Sequence, residues 1–574
     1  MLDLLITGGE VVDGTGAPRK RADVGVRDGW VVSIGSTDEP AQRTIEADGR
    51  IVAPGFVDVH THLDAQAFWD PDLSPSPLHG VTTVLSGNCG FSIAPLTEEA
   101  GRYLMPMLAK VEGMPLQSLR DGVPWNWRTT AEYLDALEGR LVINAGFMVG
   151  HSAIRRVVMG EAANERTATD DDLSQMIRLL RDGLEAGGFG FSTTTSDTHN
   201  DGDGNPVPSR FADAREFIEL ARVCGDYEGT SLELLPQGAT GLGPFPDDVA
   251  ELMITMSTTA RRPLNWNVIQ PTASNLDSCL AKLEVGDRAV ARGGKVIGLT
   301  MPVDMKARFS FHAGFVLDVF EGWAPIMNAS TDEKLRVLSD PQQRARMAEQ
   351  AAGTASMRHL AKWQDHVIVE TFTPETAAYA GRRVGDIADE LGKQPFDALV
   401  DIAIADGLRT TFARGTPAPT EADWAARLQI WNDPRAMIGA SDAGAHLDMI
   451  AAFRYSTGFL EEAVRQHELL PLERAIHLLT GAPARLYGLR DRGLLREGGR
   501  ADVVVFDEVT VGSQPVGTRF DLPGGSGRLY AEAVGIDHVI VNGTVLATGG
   551  AYTGERSGTL LRAGRDSATP TLDL

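Results

Sequence analysis

Residues 51–64 read IVAPGFVDVHTHLD. A short apolar run set off by Pro54-Gly55 has the pattern of a buried strand. Alternate side chains of a strand share a face, so His60 and His62 project together from its C-terminal end, inward if the strand belongs to a barrel. Two neutral imidazoles on one face can hold a single divalent ion of the zinc type, although HxH by itself is equally compatible with two ordinary polar residues.

Seven further runs follow the same plan: GVTTVLSG (80–87), INAGFMVG (143–150), GGFGFSTT (187–194), TSLELL (230–235), PLNWNVI (263–269), GKVIGLTM (294–301) and AMIGASD (436–442). Amphipathic helical stretches separate them, as in repeated βα units on a parallel sheet. With GFVDVH (55–60) the count reaches that of a (β/α)8 TIM-type barrel, predicted over 57–485. The stretch 302–427 is too long for one βα connection and predicts an inserted lid subdomain over the barrel mouth. It contains FHAGFVLDVFEGWAPIM (311–327), whose Phe311, Phe315, Phe320 and Trp323 would either face an apolar acyl group or pack lid against barrel.

Both chain ends carry short β-type runs with glycine turns, LLITGGEVVDG (4–14) at one end and GLLREGGRADVVVFD (493–507) and GIDHVIVNGTVLATGG (535–550) at the other. Each end alone would leave an apolar sheet face bare, so 1–56 and 486–550 are predicted to build one small discontinuous β-sandwich domain. The polar, glycine-rich tail 551–574 is expected to be loosely held or to wrap a neighbour.

With 574 residues, 43% of them hydrophobic, the chain can bury a large core. Its formal charge of −25 has the wrong sign for gripping nucleic acid or anionic lipid. The three cysteines, Cys89, Cys224 and Cys279, are scattered without a CxxC pair and imply no disulfide framework. No signal-peptide core and no apolar stretch of about 18 residues is found, so the expectation is a cytoplasmic protein without a membrane partner. Self-association as a homo-oligomer would be ordinary for such a barrel.

The first motif and the split β domain together resemble the amidohydrolase superfamily. GVTTVLSGNCGFSIAP (80–95) and FMVGHSAIRRVVMG (147–160) are similar to its N-acyl-D-amino-acid deacylase branch, the D-aminoacylase-like enzymes. The likeness runs over nearly the whole chain and is most specific in its first 160 and last 140 residues. It implies a metal-binding role for His60 and His62, and it places Cys89 where the branch has a metal-bridging cysteine. Asp442, in IGASDAGAH (438–446), takes the place of a metal-binding aspartate that also serves as general base. A thiolate is a strong zinc ligand, whereas a lone Cys is usually a structural thiol, and an Asp after a strand is often a helix N-cap. The resemblance makes His151 a pocket residue. His446 is a candidate contact for substrate or for a metal ligand.

The branch also carries metal-binding histidines after its fifth and sixth strands and a substrate-binding lysine two residues beyond the second of them. Here those strands read TSLELLP and LNWNVIQ, so the positions hold Glu233 or Leu234, Asn267 or Val268, and Gln270. Losing both histidines predicts one zinc ion rather than two, on His60, His62, Asp442 and Cys89, with Glu233 and Asn267 as candidate replacements. An amide in place of the lysine, and STTTSDTHNDGDGNP (192–206) in place of a tyrosine-bearing loop, weaken recognition of a free amino-acid carboxylate. The expected function is hydrolysis of the C–N bond of a small N-acyl amino acid or N-acyl amine by a metal-activated water, with Asp442 as base. The alternatives are opening of a cyclic amide or imide, and a non-catalytic assembly protein of the same fold.

Overall fold

The computed structural model describes residues 1–354, 358–415 and 417–572, which adopt a mixed α/β fold. Each of the eight apolar runs forms a strand: β1 (Phe56–Asp58), β2 (Val81–Ser86), β3 (Asn144–Phe147, resumed at Val149–Gly150), β4 (Gly190–Thr194), β5 (Ser231–Leu235), β6 (Pro263–Ile269), β7 (Lys295–Thr300) and β8 (Ala436–Ile438). All of their pairings are parallel: β1, β2 and the first part of β3 form one run, and the second part of β3 continues through β4 to β8 in order.

Main-chain bonds join the two runs at both sides. Met148 N–H donates to Ser86 O and Phe189 N–H to Phe147 O, each at 2.8 Å. Beyond β1 and β8, Asp442 N–H donates to His60 O at 3.1 Å and His62 N–H to Ala443 O at 2.7 Å. Val57, Val59, Leu85, Met148, Phe189, Ile297, Leu299 and Met437 from these strands share one buried core with Tyr487 and Leu561.

Strands from both chain ends lie in one nine-stranded sheet, joined where Val503–Phe506 runs antiparallel to Ile51–Pro54. The stretch 302–427 builds a separate three-stranded antiparallel sheet (Arg308–Phe309, Thr411–Arg414, His366–Glu370) with helices around its own core. The aromatic group neither lines a pocket as a unit nor glues lid to strands. Phe311, Phe320 and Trp323 are buried inside this separate core, with Trp323 stacked on Trp363 at 5.9 Å, and only Phe315 of the four turns toward the loop after β8.

The tail also departs from expectation, for it is firmly held against this chain. Gly558 N–H donates to Leu141 O (3.1 Å), Leu561 N–H to Ala145 O (2.8 Å), Ala563 N–H to Gly187 O (2.9 Å) and Ala568 N–H to Gly488 O (2.8 Å). Composition gave no hint, because main-chain bonds can be made by any residue but proline's missing donor. Leu560 and Leu561 are buried at this seam. Leu561→Ala should therefore cost about 2–5 kcal/mol, seen as a lower urea midpoint; an unchanged midpoint would show that the Leu561 side chain adds nothing to stability.

Candidate active site

β1 delivers His60 and His62 on one face, and their Nε2 atoms converge on one oxygen. Asp442 Oδ1 lies 3.7 Å from His60 Nε2 and 3.1 Å from His62 Nε2. Cys89, just past β2, places Sγ 3.7 Å from His60 Nε2. Four residues singled out in the sequence thus gather around the two imidazoles, His60, His62 and Cys89 forming one possible ligand group and His62, Asp442 and Glu112 another. Cys89 and Asp442 hold φ of 54° and 59°, left-handed values that cost non-glycine residues on the order of 1–3 kcal/mol each and that persist only where surrounding structure enforces them.

Glu233 and Asn267, rather than Leu234 and Val268, reach the cluster. Glu233 Oε2 accepts the Cys89 N–H at 2.7 Å, and its Oε1 stands 3.9 Å from both Cys89 Sγ and His60 Nδ1. Asn267 Nδ2 lies 3.3 Å from His60 Nε2 and 3.7 Å from Cys89 Sγ. Leu234 instead packs in the helix-side core. His446 sits at the edge, with Nε2 3.8 Å from Asp442 Oδ2 and its ring 5.4 Å from Phe315.

His151 is not brought to the cluster. It opens helix His151–Met159, and its ring lies buried between Phe191 and Phe217. Both nitrogens are engaged, Nδ1 with Thr193 Oγ1 at 2.8 Å and Nε2 with Glu216 Oε1 at 2.7 Å, which links this helix to β4 and to helix Ala214–Cys224.

Sequence reasoning missed Glu112, whose Oε1 lies 3.5 Å from His62 Nδ1. A usable signal existed: Glu112 follows helix Glu98–Val111 directly, and a carboxylate at a helix C-terminus opposes the helix dipole. Asp58 and Asp64, beside the two histidines, were also passed over. Asp58 Oδ1 accepts the His60 N–H at 3.4 Å and Asp64 Oδ2 the Gly87 N–H at 3.0 Å. From the acidic loop after β4, His199 packs on Phe91 at 4.9 Å.

Asp58, Asp64, Glu112 and Glu233 are buried, and Asp442 is 24% exposed. Among the described residues none of the five pairs with Lys or Arg; their ion-pair partners are histidines alone. Burial accordingly pushes the carboxyls of Asp58 up to about 7, Asp64 to about 6 and Glu233 to about 8, and lifts the Cys89 thiol well above its usual range. Burial also lowers His60 to about 3. His62 moves the other way, to about 9, because the carboxylates of Glu112 and Asp442 outweigh its burial. The same contact with His62 outweighs burial at Asp442 and holds it below the usual carboxylate range. The two imidazoles, the thiol and the carboxyls of Glu112 and Asp442 are spaced to suit a divalent cation, whose charge would offset the penalty of burying acids and a thiol nearby.

Two cavities come near the cluster only through chain neighbours of its members, Gly113 in one and Val268 in the other. One, of about 460 Å³, is lined by Gly113, Phe315, Lys334 and Arg409 among others. The second, of about 540 Å³, is lined by Val268, Gln270, Met301 and Arg427 among others.

Residues 43–547 match the family model described as "Amidohydrolase family". N-acyl-D-glutamate deacylase of Alcaligenes xylosoxydans xylosoxydans is 30% identical over 94% of this chain and 93% of its own length. D-aminoacylase of the same organism is 29% identical over 97% of each chain. Among solved structures, a D-aminoacylase studied for its binuclear metal center superposes with a TM-score of 0.65 at 27% identity, covering 98% of this chain and 100% of that one. An N-acyl-D-glutamate deacylase from Bordetella bronchiseptica, complexed with zinc and a phosphonate inhibitor, gives 0.65 at 28% identity over 98% and 100%. Matches of this extent, along almost the full length of both partners, make the chain a member of the amidohydrolase family.

Proposed function

We propose that this protein is a metal-dependent hydrolase of linear amide C–N bonds in N-acylated amino acids or amines. Its relatives named above are deacylases of N-acyl-D-amino acids. The observation that carries the reading is the convergence of both Nε2 atoms on Asp442 Oδ1 with Cys89 Sγ alongside. In this reading the eight strands close as a (β/α)8 barrel over 57–485, supported by their order and by the bonds at both junctions. The stretch 302–427 is a subdomain over the mouth, and 1–56 with 486–550 forms the small β-sandwich domain.

His60, His62, Cys89 and Asp442 would hold one zinc ion. A single ion is favoured because the second position offers a carboxylate already engaged by the Cys89 N–H and an amide, in place of two neutral nitrogens. When bound, the ion supplies Lewis acidity, polarising a carbonyl and lowering the pKa of a water to about 7. Asp442 has the exposed carboxylate edge of the cluster, which suits it to accept a proton from water and pass it to the leaving nitrogen. The water oxygen bonds to the acyl carbon, the C–N bond breaks, and the nitrogen departs as an amine carrying that proton. Gln270, lining the second cavity, would meet a substrate carboxylate as a neutral donor, a weaker partner than a lysine at that place. Among the described residues no helix is long and apolar enough to cross a membrane, and the three cysteines are unpaired, which suits the cytoplasm.

Chelation should abolish amide hydrolysis and zinc should restore it, with full activity at one ion per chain by metal analysis; two tightly held ions would overturn the single-ion reading. Asp442→Asn should lower kcat by about 10²–10⁴-fold at unchanged circular dichroism, and undiminished turnover would remove Asp442 from proton transfer. In a substrate panel, N-acetyl amino acids and N-acyl amines should be cleaved and hydantoins spared. The opposite ranking would reassign the enzyme to ring opening.

A further inference from the structure

We propose that Glu112 is a positioning residue for His62: with a metal ion bound, its carboxylate would accept the Nδ1 proton and leave Nε2, on the edge that faces Asp442, as the ligand atom. The inference rests on the metal-dependent reading above. A neutral imidazole carries one proton, and the partner of one ring nitrogen decides what the other can do. Glu112 Oε1 faces Nδ1 at 3.5 Å while Asp442 Oδ1 faces Nε2 at 3.1 Å, on the opposite edge of the ring. Closing the first distance to an ordinary N–H···O bond needs a shift of only about 0.5 Å.

The placement of Glu112 is costly without such a partner. Its side chain is 3% exposed and follows the C-terminal end of helix Glu98–Val111, where the dipole disfavours an anion. The cations on the same helix, Arg102 and Lys110, are occupied by Glu98 at 2.7 Å and Asp318 at 2.6 Å. His62 is the ion-pair partner that Glu112 has among the described residues.

The same helix end is tied to the loop after β8. Glu112 O accepts the N–H of His446. Gly113, at φ 57°, comes so close that a Cβ there would stand 3.1 Å from His446 Cα and 3.2 Å from its Nδ1. One helix terminus therefore braces both His62 on the β1 side and the segment that carries Asp442. His60 has no equivalent brace: its Nδ1 makes no hydrogen bond among the described residues, and Glu233 Oε1 stands off at 3.9 Å.

Zinc affinity, measured by competition with a chromophoric chelator, and the visible spectrum of the cobalt(II) form test this role without reference to turnover. Glu112→Ala should weaken zinc binding by about 10–100-fold and alter the cobalt spectrum. Glu112→Gln, whose amide oxygen still accepts a proton, should keep both close to the parent. Parent-like affinity and spectrum in Glu112→Ala would overturn the proposal. So would a Glu112→Gln variant as impaired as Glu112→Ala, because Glu112 would then act through its charge or as a ligand. Should Glu112→Ala fail to fold, Glu112→Asp, one methylene short of Nδ1, takes its place with the same weakening expected and the same parent-like result overturning the idea. A parent protein that takes up neither zinc nor cobalt would remove the metal reading itself, and the role of Glu112 with it.

Discussion

Two main-chain hydrogen bonds, Asp442 N–H to His60 O and His62 N–H to Ala443 O, fix where the ends of β1 and β8 stand relative to each other. The chemistry depends on that seam. His60 and His62 alternate with Thr61 along the extended chain, and Thr61 pairs with Ala443, so the histidines and Asp442 are spaced by backbone geometry rather than by loop conformation. Sites built on strand ends are held more closely than sites on free loops, which matters when three donor atoms must come within a few ångströms of one point. The seam also explains why residues so remote in sequence can form one centre. The intervening β2 to β7 each pair with their neighbours in chain order, and the last strand returns to the first.

What could be read from the sequence follows from which of these contacts are local. The eight apolar runs and the HxH spacing were legible because strand periodicity is a property of a few adjacent residues. Glu233 and Asn267 were found because they stand where expected histidines are missing, and the strand period then separates them from Leu234 and Val268. His151 was misread because it sits one residue beyond the second part of β3, where the chain has already turned into helix His151–Met159. The turn directs its ring toward Phe217 and away from the cluster. Glu112 was passed over for another reason: its place after a helix C-terminus marks it as unusual, but it approaches His62 from a different βα connection, and only tertiary packing brings the two together. The tail was misjudged because its anchors are peptide groups. Phe311, Phe320 and Trp323 were correctly seen as apolar, but nothing local indicated that 302–427 holds a core of its own.

Charge and strain at the site have a common origin. Glu233 puts another carboxyl into a cluster already crowded with acids, which by itself is unfavourable. Part of that cost is offset locally, because Glu233 Oε2 accepts the N–H of Cys89 at 2.7 Å. This bond acts on the peptide unit of a residue held at φ 54°, so it helps to enforce the strained backbone that turns Sγ toward His60. Asn267 adds no charge and reaches the same sulfur and the same imidazole from the neighbouring strand, at 3.7 and 3.3 Å. Glu233 and Asn267 therefore both support the position of the Cys89 thiol beside His60.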